Sequence, residues 1–454
     1  MLIKRIIIKK TKKMHPIPKG ICMGFIVGIF MALLFWAPPI FADETSRNND
    51  PHDSKRPVEL SIIDRYLEMA AENNPELRRL DHEHQARLEM IPQARALPDP
   101  EINIGYFINA DDPETFAGRF SVSAMQMFPW YGTRSARQDE QSAMADEQLH
   151  ALQNRKTALF TEIQEIWFNY TALVLTTEIV RINREIVSDL ESIVMVGYET
   201  GRVSTADLLR IQMEDQRLIT RIENLEDSKN SLRASFNELL NRAPGSEIEV
   251  PEQLPARRPA HTEAELITLA REQNPELGQF DAMETAAEHR TRLARLEGRP
   301  DIGIGLEIMG RDFTAMAMMP NMNEGYVGMV SIRVPLYRSN YDAKVRQALA
   351  DKQSVLQGKK QVSNAIQRQM EENLVNWRES ERNLKLLENE LIPRARQAFD
   401  VLSEEYGAGN VSFEEVLQVQ RELLDLDIER FNALAAQNRA IARIEQLYGA
   451  RPGQ

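Results

Sequence analysis

Apolar residues recur at every seventh position from Leu152 through Leu159, Ile166, Leu173, Val180 and Val187 to Val194. Ile163 and Tyr170 fill alternate seam positions between them. A strict seven-residue spacing keeps one stripe facing a partner helix and imposes a left-handed supercoil. No proline interrupts the run from Tyr131 to Met195, and the flanking glycines, Gly132 and Gly197, mark its ends. At about 1.5 Å per residue such a helix is on the order of 100 Å long. It cannot bury its seam inside a compact core, so it needs partner helices of comparable length.

The rest of the chain supplies them. A short helix is predicted at about 60–73, and Asn74-Pro75-Glu76-Leu77 opens a second that ends near Ala96. Two strand-like runs follow. In the first, Ile102, Ile104, Tyr106 and Ile108 alternate with Glu101, Asn103, Gly105 and Phe107; in the second, Phe120, Val122 and Ala124 alternate with Ser121, Ser123 and Met125. The hydrophobic period has switched from about 3.6 to 2. After the long helix, Gly201 suits a left-handed cap, and Ser204 caps a returning helix with Asp207 three residues on. The pattern then starts again. Asn274-Pro275-Glu276-Leu277 and Pro300-Asp301-Ile302-Gly303-Ile304-Gly305 echo the stretches at Asn74 and Pro100, and Tyr406 to Ser412 echoes Tyr198 to Ser204. A second long helix is predicted from Tyr341 to Glu405, its seam including Leu349, Leu356, Met370, Trp377, Leu384 and Leu391. The expected division is a first repeat at 60–250, a linker at 251–261 and a second repeat at 262–454, with 43–59 as a lead-in.

Residues 1–42 differ in kind. Lys4, Arg5, Lys9, Lys10, Lys12, Lys13 and Lys19 precede an apolar run, Ile21 to Trp36, and a terminal Ala42. That order describes a secretory signal peptide, with Met1 or Met14 as the start. Removing it takes away seven positive charges and no acidic ones, moving the formal charge from −13 to −20. So acidic a chain is a poor partner for nucleic acid. The single cysteine, Cys22, lies in the segment removed and before most of its apolar run, so no disulfide, thiolate or lipid-carrying first cysteine is expected beyond it.

Beyond the signal no apolar run is long enough to cross a bilayer as a helix, so any membrane part must consist of strands. The helices at 75–96 and 204–241 together nearly match the long helix and would stack end to end as a second rod beside it. Four strands of about nine residues fit a bilayer crossing but cannot close a barrel. Three chains would supply twelve strands and twelve rods. The expected fold is mainly α with a small β part: a long antiparallel coiled-coil tube plus four membrane strands per chain, completed as a 12-stranded barrel in a trimer. A competing reading is a periplasmic coiled-coil scaffold or adaptor without a pore, which would have no use for amphipathic strands of that length.

The doubled Asn-Pro-Glu-Leu, the doubled strand pair and the doubled Gly201–Ser204 and Gly409–Ser412 resemble the TolC-type outer-membrane efflux channels, in the branch serving metal and drug exporters. Leu391-Ile392-Pro393 within the second long helix fits the same family. The resemblance implies a homotrimer in the outer membrane, contacting its lipid. It also implies a partnership with a periplasmic adaptor (membrane fusion) protein and an RND-type inner-membrane pump, whose substrate the channel passes passively. It implies that Gly201, Arg202, Val203, Ser204, Gly409, Asn410, Val411 and Ser412 are the adaptor-contacting tips. An acidic ring narrowing the closed channel falls on Glu415, with Gln418 where a second acid would stand and Asp207 in the other repeat.

Each candidate has a plainer reading. Glu415 lies three residues after Ser412 and would complete a capping box. Gly201 and Gly409 let the chain turn. His82-Glu83-His84 looks metal-like, but residues two apart on a helix do not share a face, and Asp425 and Asp427 fit exposed coiled-coil positions. No enzyme signature and no cofactor site emerge. Met309, Met316, Met318, Met319, Met322 and Met329 cluster around the second inter-strand loop near Asp312 and Glu324. There Met316, Met318, Met319 and Met322 are thioethers suited to Cu(I) or Ag(I), or simply an adaptable apolar cover.

Overall fold

The computed structural model describes residues 58–107, 119–310 and 325–450. The signal segment, most of the lead-in and the loop carrying Met316, Met318, Met319 and Met322 lie outside the described residues. Helix α1 (Val58–Asn73) leads into α2 (Pro75–Leu88), α3 (Met90–Arg95), strands β1 (Glu101–Phe107) and β2 (Arg119–Phe128), the 67-residue α4 (Thr133–Glu199) and α5 (Thr205–Leu239). Next come α6 (Glu263–Gln273), α7 (Pro275–Leu296), β3 (Asp301–Gly310), β4 (Gly325–Arg333) and α8 (Arg338–Leu386). A five-residue π-helical turn, Leu387–Leu391, passes into α9 (Ile392–Ala408), and α10 (Phe413–Leu447) ends the fold.

Two prolines explain where helices depart from the simplest periodicity. The stretch expected as one helix from 75 to 96 breaks at Glu89, because Pro92 has no N–H to return to the carbonyl of Leu88. Pro393 likewise cannot bond back to Asn389, and the chain widens to a π turn immediately before it. The second seam is also displaced from expectation. Leu349 is exposed, and Ala348 is buried in its place, followed by Ile366, Met370, Leu374, Leu384 and Leu387. A straight helix drifts against a seven-residue repeat, so the buried stripe migrates around α8.

The long helix α4 is flanked by α2 and α3 near the sheet and by α5 beyond them. Helix α8 is flanked in the same way by α7 and α10, and both α7 and α10 also pack on α4. The doubled asparagines are the joints of these stacked pairs. Asn74 caps α2 by accepting from the N–H groups of Glu76 and Leu77, while its own amide donates to the Leu239 carbonyl at the end of α5, at 2.8 Å. Asn274 accepts from Glu276 and Leu277 and donates to the Leu447 carbonyl at the end of α10, also at 2.8 Å. One side chain therefore satisfies the start of one helix and the end of another.

The seam of α4 is buried along its length. Leu159, Ile163, Trp167 and Phe168 pack with α1, Phe236 and Leu240, and Val180, Val187 and Val194 pack with Ile211, Leu218, Phe413, Leu417 and Leu424. Large side chains such as Trp167 and Phe168 each contribute about 1.5–3 kcal/mol by burial. Residues 244–257 do more than join the halves. Trp167 Nε1 donates to the Glu249 carbonyl, Glu249 N–H donates to the Tyr66 hydroxyl, and Trp377 Nε1 donates to the Arg257 carbonyl. Asn438 donates to the Pro255 carbonyl, while Ile248 and Leu254 are buried. The segment is a packed strap.

The four strands form one antiparallel sheet in the order β1-β2-β3-β4. The helices that continue from them, α2 and α3, α4, α7 and α8, contact one another in that same order.

Candidate functional site

The register sorts the sheet into two chemically distinct faces. Ile104 pairs with Val122, Val122 with Ile308, Ile308 with Tyr326, and Ile304 with Val330. All even-numbered strand residues therefore share a face. That face carries Ile102, Ile104, Tyr106, Ile302, Ile304, Leu306, Tyr326, Val330 and Ile332, each exposed, with Ile104 at 70% and Val330 at 74%. The odd-numbered face carries Glu101, Asn103, Ser121, Ser123, Asp301, Glu307 and Ser331 among glycines and methionines. Apolar residues facing outward and polar ones inward is the pattern of a strand in a bilayer, inverted from a soluble sheet. At the junction with the helices, Phe128, Trp130, Tyr131, Leu336 and Tyr337 are exposed, Tyr131 almost completely at 95%. Exposed aromatics where strands meet helices are the residue type enriched at membrane–water interfaces. Among the described residues no helix is long and apolar enough to cross a membrane.

At the opposite end of the long helices the chain turns twice. Gly201 and Gly409 have φ of 72° and 81°, the left-handed region that glycine enters without a Cβ penalty. Arg202 and Val203 donate back to the Gly197 carbonyl, Asn410 donates to the Glu405 carbonyl, and Val203 packs beside the Val194 cluster. Ser412 and Glu415 form the full reciprocal capping box. Ser204 caps α5 with a single backbone bond, accepting from Asp207 N–H, and its hydroxyl donates to the Asp207 carboxylate at 2.6 Å.

The sequence did not point to Arg210. It lies 3.3 Å from Asp207 and 3.0 Å from Glu414, so it bridges the starts of α5 and α10. Two further ion pairs join the same helices: Arg421 to the buried Glu214 at 2.6 Å, with Arg217 also within reach, and Arg221 to Asp425 at 3.2 Å. The only advance signal was arginines at 3-4 spacing flanking the seam of α5, as at coiled-coil e and g positions. Tyr406 stacks near Phe413 at 5.6 Å, and its hydroxyl is pushed up by burial, then by the charge of Asp207. Gln418 is exposed on α10. The structure thus brings Asp207, Arg210, Glu414 and Tyr406 together, with Glu415 held by Ser412.

His82 and His84 do not converge: one contacts Gln85 and the other the Ala145 carbonyl. Among the described residues no group of three or more His, Cys, Asp or Glu could hold a metal ion.

A two-faced sheet continued by helices of this length is the architecture of an outer-membrane channel. Residues 266–450 match the family model described as outer membrane efflux protein. Solved structures extend the likeness to nearly the whole chain. The outer-membrane channel OprN is 16% identical, covering 86% of this chain and 91% of its own, with a TM-score of 0.76. The outer membrane protein VceC of Vibrio cholerae is 13% identical, with 86% and 96% covered and a TM-score of 0.74. The open-state MtrE outer membrane channel of Neisseria gonorrhoeae is 12% identical, with 86% and 89% covered and a TM-score of 0.71. No curated protein matches the sequence. The fold of this chain is that of solved outer-membrane channels, with a four-stranded sheet continued by long helices.

Proposed function

We propose that this chain is one third of a homotrimeric duct that passively passes metal ions or small toxic compounds outward. An RND-type inner-membrane pump delivers them, and a periplasmic adaptor docks at the tips formed by Gly201–Ser204 and Gly409–Ser412. The sheet carries this reading. Its apolar face is turned to outer-membrane lipid, yet the outer edges of β1 and β4 have no partner strand within the described residues. Unpaired edges are untenable in hydrocarbon, and pairing β4 of one copy with β1 of the next removes them. The helices support the same closure. Besides its buried seam, α4 carries a second stripe of Ile182, Ile186, Ile193 and Val196, all exposed, which matches a coiled-coil face awaiting another helix.

The tip is the proposed gate, with Asp207 and Glu415 as its carboxylates and Arg210 as the clasp between α5 and α10. Detergent-solubilised protein should weigh three chains by native mass spectrometry, and a stable monomer would overturn the duct. In planar bilayers the resting conductance should be low and cation-selective. Arg210→Ala should raise it severalfold, since exposed pairs of this kind each hold about 0.2–1 kcal/mol. Glu415→Gln should move the reversal potential in a salt gradient toward zero. An unchanged potential would leave Glu415 a helix cap only.

A further inference from the structure

The described strands contain four methionines, and all four lie on the odd-numbered, polar face: Met125 and Met127 on β2, Met309 on β3 and Met329 on β4. The opposite face has none. It carries isoleucine, valine, leucine and aromatics, together with Ala124, Gln126, Gly310 and Gly328. Among the strand residues whose side chains are described, Val327 is the one other large apolar residue on the polar side. Generic apolar filling would not separate the two kinds so cleanly.

Glycines set where the thioethers go. Met127 pairs in register with Gly303, and Met125 with Gly305, which pairs in turn with Met329. A Cβ on Gly303 would lie 2.6 Å from the Met127 sulfur and 3.5 Å from the Met125 sulfur. Both sulfurs therefore occupy the space above one glycine. A Cβ on Gly305 would meet the Met125 backbone and Cβ at 3.4 Å. The Ser331 Cβ closes the far side of Gly303 at 3.1 Å, and Met329 is the register partner of Gly305 on the far strand. Glu101, the partner of Met125 in the neighbouring strand, adds a carboxylate to the same face, while Asp301 at the start of β3 lies opposite Arg333.

We propose that Met125 and Met127, with Met329 across Gly305, form a thioether site for a soft monovalent cation, Ag(I) or Cu(I), on the wall of the channel. This rests on the trimeric duct proposed above, in which the odd face lines the lumen and three such sites form a ring. Thioethers are neutral, soft and polarizable, and they favour these ions over sodium, potassium or magnesium. They carry no proton to release, so binding does not depend on pH across the range where His or carboxylate sites lose affinity. A two- or three-thioether site without a thiolate holds its ion loosely, which suits passage rather than storage.

The test uses the purified trimer in detergent, with silver nitrate in chloride-free buffer as the probe. The Met125→Leu/Met127→Leu variant keeps volume and apolarity and removes both sulfurs. Calorimetric titration should show silver bound by the native trimer with equal affinity at pH 5.5 and 7.5, and binding about tenfold weaker in the variant. X-ray absorption at the silver edge should show sulfur neighbours in the native protein and fewer in the variant. The loop methionines are present in both proteins, so the difference isolates this site. Bilayer conductance in sodium or potassium chloride should be the same for the two. Equal silver binding by both proteins, or affinity that falls at the lower pH, overturns the site while intact conductance leaves the duct standing. A native trimer that forms no pore overturns the duct and the lumen placement together.

Discussion

Ile304→Arg combined with Val330→Arg should leave almost no assembled trimer in the outer-membrane fraction. The two residues are register partners at the centre of β3 and β4, both on the even face, 58% and 74% exposed. An arginine near the bilayer midplane of a transmembrane barrel costs about 2–4 kcal/mol, and two directly opposite like charges add to one another. Ser123→Arg is the matched control. Its position is on the odd face opposite Glu307, so assembly should be normal and only ion selectivity should change. Heat-modifiable migration on denaturing gels separates assembled from unassembled chains. Assembly of the double variant at the native level would show that the even face does not meet lipid.

Replacing Asn74 and Asn274 with alanine should produce the largest loss of stability in the helical part. Each asparagine accepts two N–H groups and donates to the last carbonyls of a neighbouring helix, and both are buried. Losing the cap costs about 1 kcal/mol, and leaving the Leu239 or Leu447 carbonyl unsatisfied costs about 1–3 kcal/mol more. Roughly 2–4 kcal/mol is therefore expected at each joint. Asn→Asp separates the two contributions, because a carboxylate still accepts the cap bonds but cannot donate to the carbonyl. Asn74→Asp/Asn274→Asp should fall between the native protein and the alanine variant. The apparent midpoint of helix melting, followed by circular dichroism at one scan rate, ranks the three. A double alanine variant that melts with the native protein would mean that the stacked helices are joined by packing alone.

Much of the architecture was legible in local pattern. The heptad from Leu152 to Val194 required a long helix and partners, because its period is set by backbone geometry before any tertiary contact forms. Proline after asparagine announced the starts of α2 and α7, and Gly201 and Gly409 announced the turns, since φ near +70° to +80° excludes most other residues. Alternation on the strands implied two faces. The capping role of Ser412 and Glu415 was readable for the same reason: both bonds lie within four residues.

What depended on residues far apart in the chain was decided only by the tertiary structure. Asn74 reaches Leu239 and Asn274 reaches Leu447, so each asparagine could be recognised as a cap but not as a joint. Arg210 meets Glu414, and Arg421 meets Glu214, across some two hundred positions, where spacing carries no information about pairing. The strap at 244–257 is held through the carbonyls of Glu249 and Arg257, which two tryptophans reach from distant helices, so the linker expected at 251–261 gave no sign of it. Leu349 turned outward because a straight helix drifts from a seven-residue repeat. The convergence of Met125 and Met127 over Gly303 required the register between β2 and β3, and a one-residue slip would have sent both thioethers to the lipid side. Periodicity determines what a segment is; only packing and register determine which side chains meet.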